Sequence, residues 1–160
     1  MATKPINFLP LDSDGKPTLT AQANMVGQTV VSSDGKKEFV CVYGTTTVGL
    51  SYLVSYAATA NQEVQAAACA TMAIASVGVA CATVTAGYVW LQTKGDCTFA
   101  VTGTVAAGDS VELINAGTYL IADASAASVK TIAIVKTAVT ETTGTTKVYL
   151  VGGTRLISAC

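Results

Sequence analysis

Ten carboxylates and five thiols are the groups in this chain that would move a proton or hold a metal, because it contains no histidine. The missing imidazole removes the usual general base, the Ser–His and Cys–His nucleophile pairs, and the commonest metal ligand. The carboxylates are Asp12, Asp14, Asp34, Glu38, Glu63, Asp96, Asp109, Glu112, Asp123 and Glu141. Most stand beside turns, where a short carboxylate satisfies backbone donors. They are scattered along the chain, and nothing in their spacing suggests the pair in a cleft that acid/base catalysis needs. The thiols are Cys41, Cys69, Cys81, Cys97 and Cys160. Their count is odd, their spacings are wide and no C-x-x-C occurs, so neither a zinc knuckle nor a disulfide framework is expected. Buried free thiols in a protein assembled in a reducing cytosol fit better. These observations point away from an enzyme and imply no cofactor and no metal.

Two loops imitate ligand motifs and fail on inspection. Gly44-Thr-Thr-Thr-Val-Gly49 has the glycine spacing of a phosphate-binding loop, but Leu50-Ser51 stands where the Lys-Ser/Thr should follow. Asp12-Ser-Asp14-Gly15 resembles the start of a calcium loop. The sixth and twelfth positions hold Pro17 and Ala23, so the sharp turn and the bidentate carboxylate are both missing. Ser-Asp-Gly-Lys occurs at 13–16 and again at 33–36, and a turn explains both. The single tryptophan, Trp90, reads as a core or subunit-contact residue, since glycan stacking would want several exposed aromatics.

The elements that would carry these residues are mostly strands. Val64 to Thr93 contains no charged residue. Ala, Thr, Val and Gly dominate it and no basic residue flanks it closely, unlike a membrane-spanning helix. The period changes within it. Thr59-Ala-Asn-Gln62 fits a capping box, and Ala60, Val64, Ala67, Ala68 and Met72 recur at helical spacing. From Ala75 the period becomes two, Thr85-Ala86-Gly87 reads as a turn, and Tyr88 to Lys94 as a strand. The stretch is therefore expected to be a core buried on more than one side, not a membrane span.

Residues 1–27 hold all three prolines, Pro5, Pro10 and Pro17, and little periodicity. They read as an extended N-terminal arm, flexible or pinned by a partner, that adds nothing to the core. From 28 to 160 the chain reads as a β-rich domain with one short helix near 60–72. Asp34-Gly35 marks a hairpin between Thr29–Val31 and Glu38–Tyr43. Leu50–Tyr56 is a further strand. Cys97–Val105 alternates, Ala106–Asp109 turns, and Val111–Ile114 and Thr118–Ile121 flank Asn115-Ala-Gly117. Asp123–Ser128 is a loop. Thr131–Val139 and Lys147–Val151 end the pattern around a polar loop at Glu141–Gly144. The expected fold is mainly β, a small barrel or sandwich of about ten short strands. A faint repeat matches Val77-x-Val79…Val84-Thr85…Val89-Trp90-Leu91 to Ile132-x-Ile134…Val139-Thr140…Val148-Tyr149-Leu150, as two similar hairpins would.

Charged residues make up 12% of the chain and the formal net charge is −1. That is about half the usual charged fraction. Such a surface suits an assembly, or else a neutral Thr/Ser/Gly exterior. With no Lys/Arg run, nucleic acid is not an expected partner. The N-terminus has no continuous apolar segment after Lys4, so no signal peptide is expected.

The stretch Val77-Gly-Val-Ala-Cys-Ala-Thr-Val-Thr-Ala-Gly-Tyr-Val-Trp-Leu-Gln-Thr-Lys-Gly95, followed by Val105-Ala-Ala-Gly-Asp-Ser-Val111, resembles the head decoration (capsid cement) proteins of tailed bacteriophages. Those proteins often carry a "GVA" strand, an aromatic strand ending in glycine, and a "V-A-A-G-D" turn. Gly95 falls later than that pattern asks. Ile132–Val135 and Lys147–Val151 suit the family's last hairpin. The resemblance covers roughly residues 75–151 and leaves 1–27 and 44–72 unaccounted for. It implies a non-enzymatic β domain, often trimeric, bound to the major capsid protein on the outer face of the virion after assembly in the host cytoplasm. It also implies an N-terminal arm that orders on the shell. The partner contacts assigned on this reading are Pro5, Phe8, Leu9, Pro10 and Leu11 of the arm, together with Trp90. The alternatives are a virion fibre, tail or spike subunit, and a surface- or carbohydrate-binding β-module.

Overall fold

The computed structural model describes residues 8–44, 49–51, 53–56, 63–65, 74–102, 104, 106–112, 121–122, 133–138, 143–151 and 155–157. The chain is mainly β. Its strands are β1 (Phe8–Leu9), β2 (Thr29–Ser32), β3 (Glu38–Gly44), β4 (Leu53–Tyr56), β5 (Glu63–Gln65) and β6 (Ile74–Ala80). They continue with β7 (Gly87–Thr102), β8 (Ser110–Glu112), β9 (Ile121–Ala122), β10 (Ala133–Val135), β11 (Thr143–Leu150) and β12 (Arg155–Ile157). Among the described residues the one helical element is a single 3-10 turn, Ala23–Met25.

Five strands pair in a ring. β3 pairs with β5, β5 with β4, β4 with β6, β6 with β7, and β7 returns to β3. The sheet therefore curls onto itself as a small barrel. Alternation gives each strand two faces. On β3 and β7, one face carries Val40, Val42, Val89 and Leu91, which cluster with Ala80 of β6 inside the ring. The opposite face carries Phe39, Cys41 and Trp90, which cluster with Leu9, Met25 and Val30. Both faces of the Val89-Trp90-Leu91 segment are thus buried, as the charge-free stretch leads one to expect.

The segment before β2 departs from the expectation of an arm that adds no core. Leu9 is fully buried, and Leu11, Leu19, Ala21 and Val26 pack against the Phe39–Trp90 cluster. β1 adds to β2 in parallel, with Phe8 opposite Val31 and Leu9 opposite Ser32. The Trp90 indole Nε1 donates to the Leu19 carbonyl at 2.8 Å, and Gly27 N donates to the Cys41 carbonyl at 2.8 Å. The reason lies in β3 and β7: their outer face is apolar, and a sheet face left in water forfeits about 25 cal/mol per Å2. Residues 9–26 supply the cover. They show no period because they cross the sheet as irregular backbone.

Three other expectations are corrected. Residues 63–65 are strand β5, not helix; pairing with β3 and β4 closes the ring there and overrides the local helical spacing. The proposed capping box at 59–62 and most of the 60–72 helix lie outside the described residues. Tyr88–Lys94 and Cys97–Val105 are not separate strands, because β7 runs unbroken from Gly87 to Thr102. β11 begins at Thr143, inside the expected polar loop, because Thr143–Leu150 pairs with Thr102–Gly95 along its whole length. The turns fare better. Gly35, at φ 72°, closes the β2–β3 hairpin, and Gly108, at φ 96°, sits in the 106–109 turn. Val111 opposite Ala122 is the ladder that the hairpin around 115–117 requires; 113–120 lie outside the described residues.

β7 changes partners at Gly95. Before it, Glu38 to Gly44 pair with Lys94 to Gly87; after it, β11 takes over. Gly95 has φ 91°, and a Cβ there would overlap the Lys36 carbonyl, so only glycine fits this pivot. The Gln92 amide, buried, donates from Nε2 to the carbonyls of Lys94 and Asp96, both at 3.0 Å. It thereby supplies donors where the ladder is interrupted. Where β7 leaves β6, β12 takes its place, pairing Leu156 with Ala75. Beyond the pivot, β11, β10, β8 and β9 follow in order.

Candidate functional site

A small cleft lies between the 14–16 loop and the outside of the barrel, and it gathers the groups with most chemical potential. Asp14, Lys16, Lys37, Cys81, Gln92 and Cys97 are among its lining residues. Its cavity volume is about 40 Å3, room for a few water molecules against the ~300 Å3 or more of a small-molecule site. Burial pushes the Cys81 and Cys97 thiols up to about 12 each, and Cys41 to about 11. All three are protonated at neutral pH, and a thiol is a far weaker nucleophile than a thiolate. The Lys37 ammonium is committed to the Gly15 carbonyl at 3.0 Å. Among the described residues, no group of three or more potential metal ligands converges.

The motif-like loops behave as turns. The Asp12 carboxylate accepts from the backbone N–H of Asp14 at 3.0 Å and of Lys16 at 2.8 Å, and so spends its lone pairs on the chain. Asp34 does the same for Lys36 N at 3.1 Å and takes the Ser32 hydroxyl, which holds its carboxyl below the usual range. Residues 45–48 of the Gly44–Gly49 loop lie outside the described residues. No helix of the described residues is long and apolar enough to cross a membrane.

The second kind of candidate site is a surface. Phe8, 64% exposed, stands beside Val31 on β1–β2. Ile134 and Tyr149 face each other across β10–β11, and Val151 continues their side of the strand; the three are 41–46% exposed. The other face of that hairpin is buried, with Ala133, Val135, Val148 and Leu150 at 3% or less. Tyr43 and Tyr88 pack with ring centroids 5.2 Å apart and planes at 59°. They extend the Cys41–Trp90 row of β3 and β7 by one register step.

The residues assigned as partner contacts divide accordingly. Phe8 and Pro10 are exposed and Leu11 is half-buried. Leu9 is not available to a partner, because its side chain fills the chain's own core. Trp90 belongs to the same cluster, 4% exposed, so of its two expected roles the structure places it in the core. Pro5 lies outside the described residues. Sequence reasoning missed Ile134, Tyr149 and Val151 as a surface row, because Ala133–Val135 and Val148–Val151 are apolar throughout and show no hydrophobic/polar alternation. It also missed Gly95 as a pivot, whose signal was a lone glycine between Lys94 and Asp96 in a strand-like stretch.

No protein-family model matches this sequence, and no curated protein matches it.

Proposed function

We propose that this chain is a structural virion protein of the capsid-decoration kind. It binds the outer surface of a phage shell, bridges neighbouring copies of the major capsid protein, and stabilises the mature shell. The observation that carries this reading is the pair of exposed apolar patches, Phe8–Val31 and Ile134–Tyr149–Val151, on a β domain with few charges. The mechanism is mass action: a protein that binds only the expanded shell lowers the free energy of that state and resists its opening. Trimerisation at three-fold positions would give each copy contacts to several capsid subunits at once. A sugar-binding role is disfavoured by the tilt of the Tyr43–Tyr88 pair, which offers no flat double platform.

Co-sedimentation with mature, undecorated shells and with unexpanded procapsids tests the proposal. Saturable binding to mature shells alone is the expected result. Binding to neither would overturn it and favour a fibre, tail or surface-binding role.

A further inference from the structure

The tetrapeptide Ser-Asp-Gly-Lys occurs twice, and its two copies are not chemically equivalent. We propose that Asp14–Gly15 is a site of spontaneous aspartate isomerisation, and that the same sequence at Asp34–Gly35 is protected by its hydrogen bonds. This inference is independent of the capsid reading.

Both aspartates are exposed in turns, and both following glycines have positive φ, 75° at Gly15 and 72° at Gly35. Glycine without a Cβ offers the least hindrance to closure of a five-membered ring between its amide nitrogen and the preceding side chain. In that closure the Gly15 nitrogen forms a bond to Asp14 Cγ. The carboxyl OH leaves with the amide proton as water. A water molecule then reopens the ring. When it adds to the Asp14 α-carbonyl, the bond from that carbon to Gly15 N breaks and the backbone runs through Cγ. No oxidant or other co-reactant is consumed.

The copies differ in which carboxylate caps the turn. In the second, Asp34 itself does so: its Oδ1 accepts from Ser32 Oγ and from Lys36 N. A carboxylate pinned in this way cannot swing to its neighbour's nitrogen. The same bonds keep it ionised, the form that loses water least readily. In the first copy the capping carboxylate belongs to Asp12, whose Oδ1 takes Asp14 N and Lys16 N. No hydrogen bond or ion pair holds the Asp14 carboxylate among the described residues. The backbone amides do not discriminate, since Gly15 N donates to Asp12 O at 3.0 Å and Gly35 N to Ser32 O at 2.9 Å. An extra backbone atom at 14 would shift the Gly15 carbonyl from Lys37 Nζ and loosen the loop over the cleft.

The test is to hold the folded, full-length protein at neutral pH and body temperature for weeks. Isoaspartate is then located by peptide mapping with an isoaspartyl-specific methyltransferase. The expected result is accumulation at residue 14 several-fold faster than at residue 34, abolished in Asp14→Glu, whose longer side chain closes the ring far more slowly. Equal or faster conversion at Asp34, or none at either site, would overturn the proposal. Ser32→Ala, which releases one bond on Asp34, should raise conversion there. An unchanged Asp34 rate would refute pinning as the cause.

Discussion

Val89-Trp90-Leu91 and Val148-Tyr149-Leu150 are nearly the same tripeptide in matching strands, yet they meet opposite fates. The first is 1%, 4% and 0% exposed; the second is 0%, 41% and 3%. Both lie in antiparallel ladders next to a strand of their own hairpin, β6 for β7 and β10 for β11. The difference is cover. Residues 9–26 cross the outer face of β3 and β7 and bury Trp90, whereas Tyr149 stays 41% exposed. Strand chemistry therefore decides that a face is apolar. Whether that face becomes core or stays exposed is decided by a segment remote in sequence.

The largest effect should come from removing the cover. Deletion of residues 1–20 takes away Leu9, Leu11 and Leu19 and exposes Phe39, Cys41 and Trp90 to water. At about 1.5–3 kcal/mol for each fully buried large side chain, the loss is comparable to the whole stability of a small domain, roughly 5–15 kcal/mol. The truncated chain is expected to lose its cooperative urea transition. A truncated chain that melts like the full one would mean the two regions do not differ in cover.

Next, Trp90→Ala should cost about 3–5 kcal/mol, since it deletes a buried aromatic side chain and orphans the Leu19 carbonyl. Chemical denaturation measures it directly.

Gly95→Ala tests the joint between the two regions. A positive φ on a residue with a Cβ costs of order 1–3 kcal/mol, and the overlap with the Lys36 carbonyl adds to it. A loss of about 3 kcal/mol is expected, read from the denaturation midpoint. A neutral result would show that β7 bends without its glycine.

Alkaline pH provides a graded test, one that grows with each unit of pH. An unfolded thiol titrates near 8.5, while Cys41, Cys81 and Cys97 are held near 11, 12 and 12 in the fold. Between those values the unfolded chain has released its thiol protons and the folded chain has not. Stability is therefore full below about pH 8.5 and falls as pH rises, by about 1.4 kcal/mol per unit for each thiol. Denaturation midpoints that stay constant to about pH 10 would contradict the burial of these thiols.

The smallest effect belongs to the uncovered face. Tyr149→Ser should change stability by no more than about 0.5 kcal/mol, yet weaken binding to the mature shell in the sedimentation assay. Unchanged shell binding would remove Tyr149 from the contact surface.

Much of the fold was legible in the residues. Alternation in 75–81 and 88–93, the Asp34-Gly35 turn and the 106–109 turn each rest on local chemistry that neighbours in sequence can satisfy. The candidate surface was only half legible. Phe8 is exposed, but Leu9, its neighbour, is core, because consecutive residues on a strand point to opposite faces. Ile134 and Tyr149 were hidden by the opposite habit, that of reading every apolar strand residue as buried.

By itself, then, the sequence determined a β-rich chain with little acid/base equipment, a doubly apolar strand at 88–91, and turns where Asp and Gly demand them. Those properties follow from side-chain chemistry and local backbone preference. The tertiary structure alone decided that 63–65 would be a strand, that β7 would pass through Gly95 from one ladder to another, and that residues 9–26 would cover the outer face of β3 and β7, with Leu9 and Met25 in the core. Each of these depends on a partner dozens of residues away, and no local pattern encodes which distant surface will need covering.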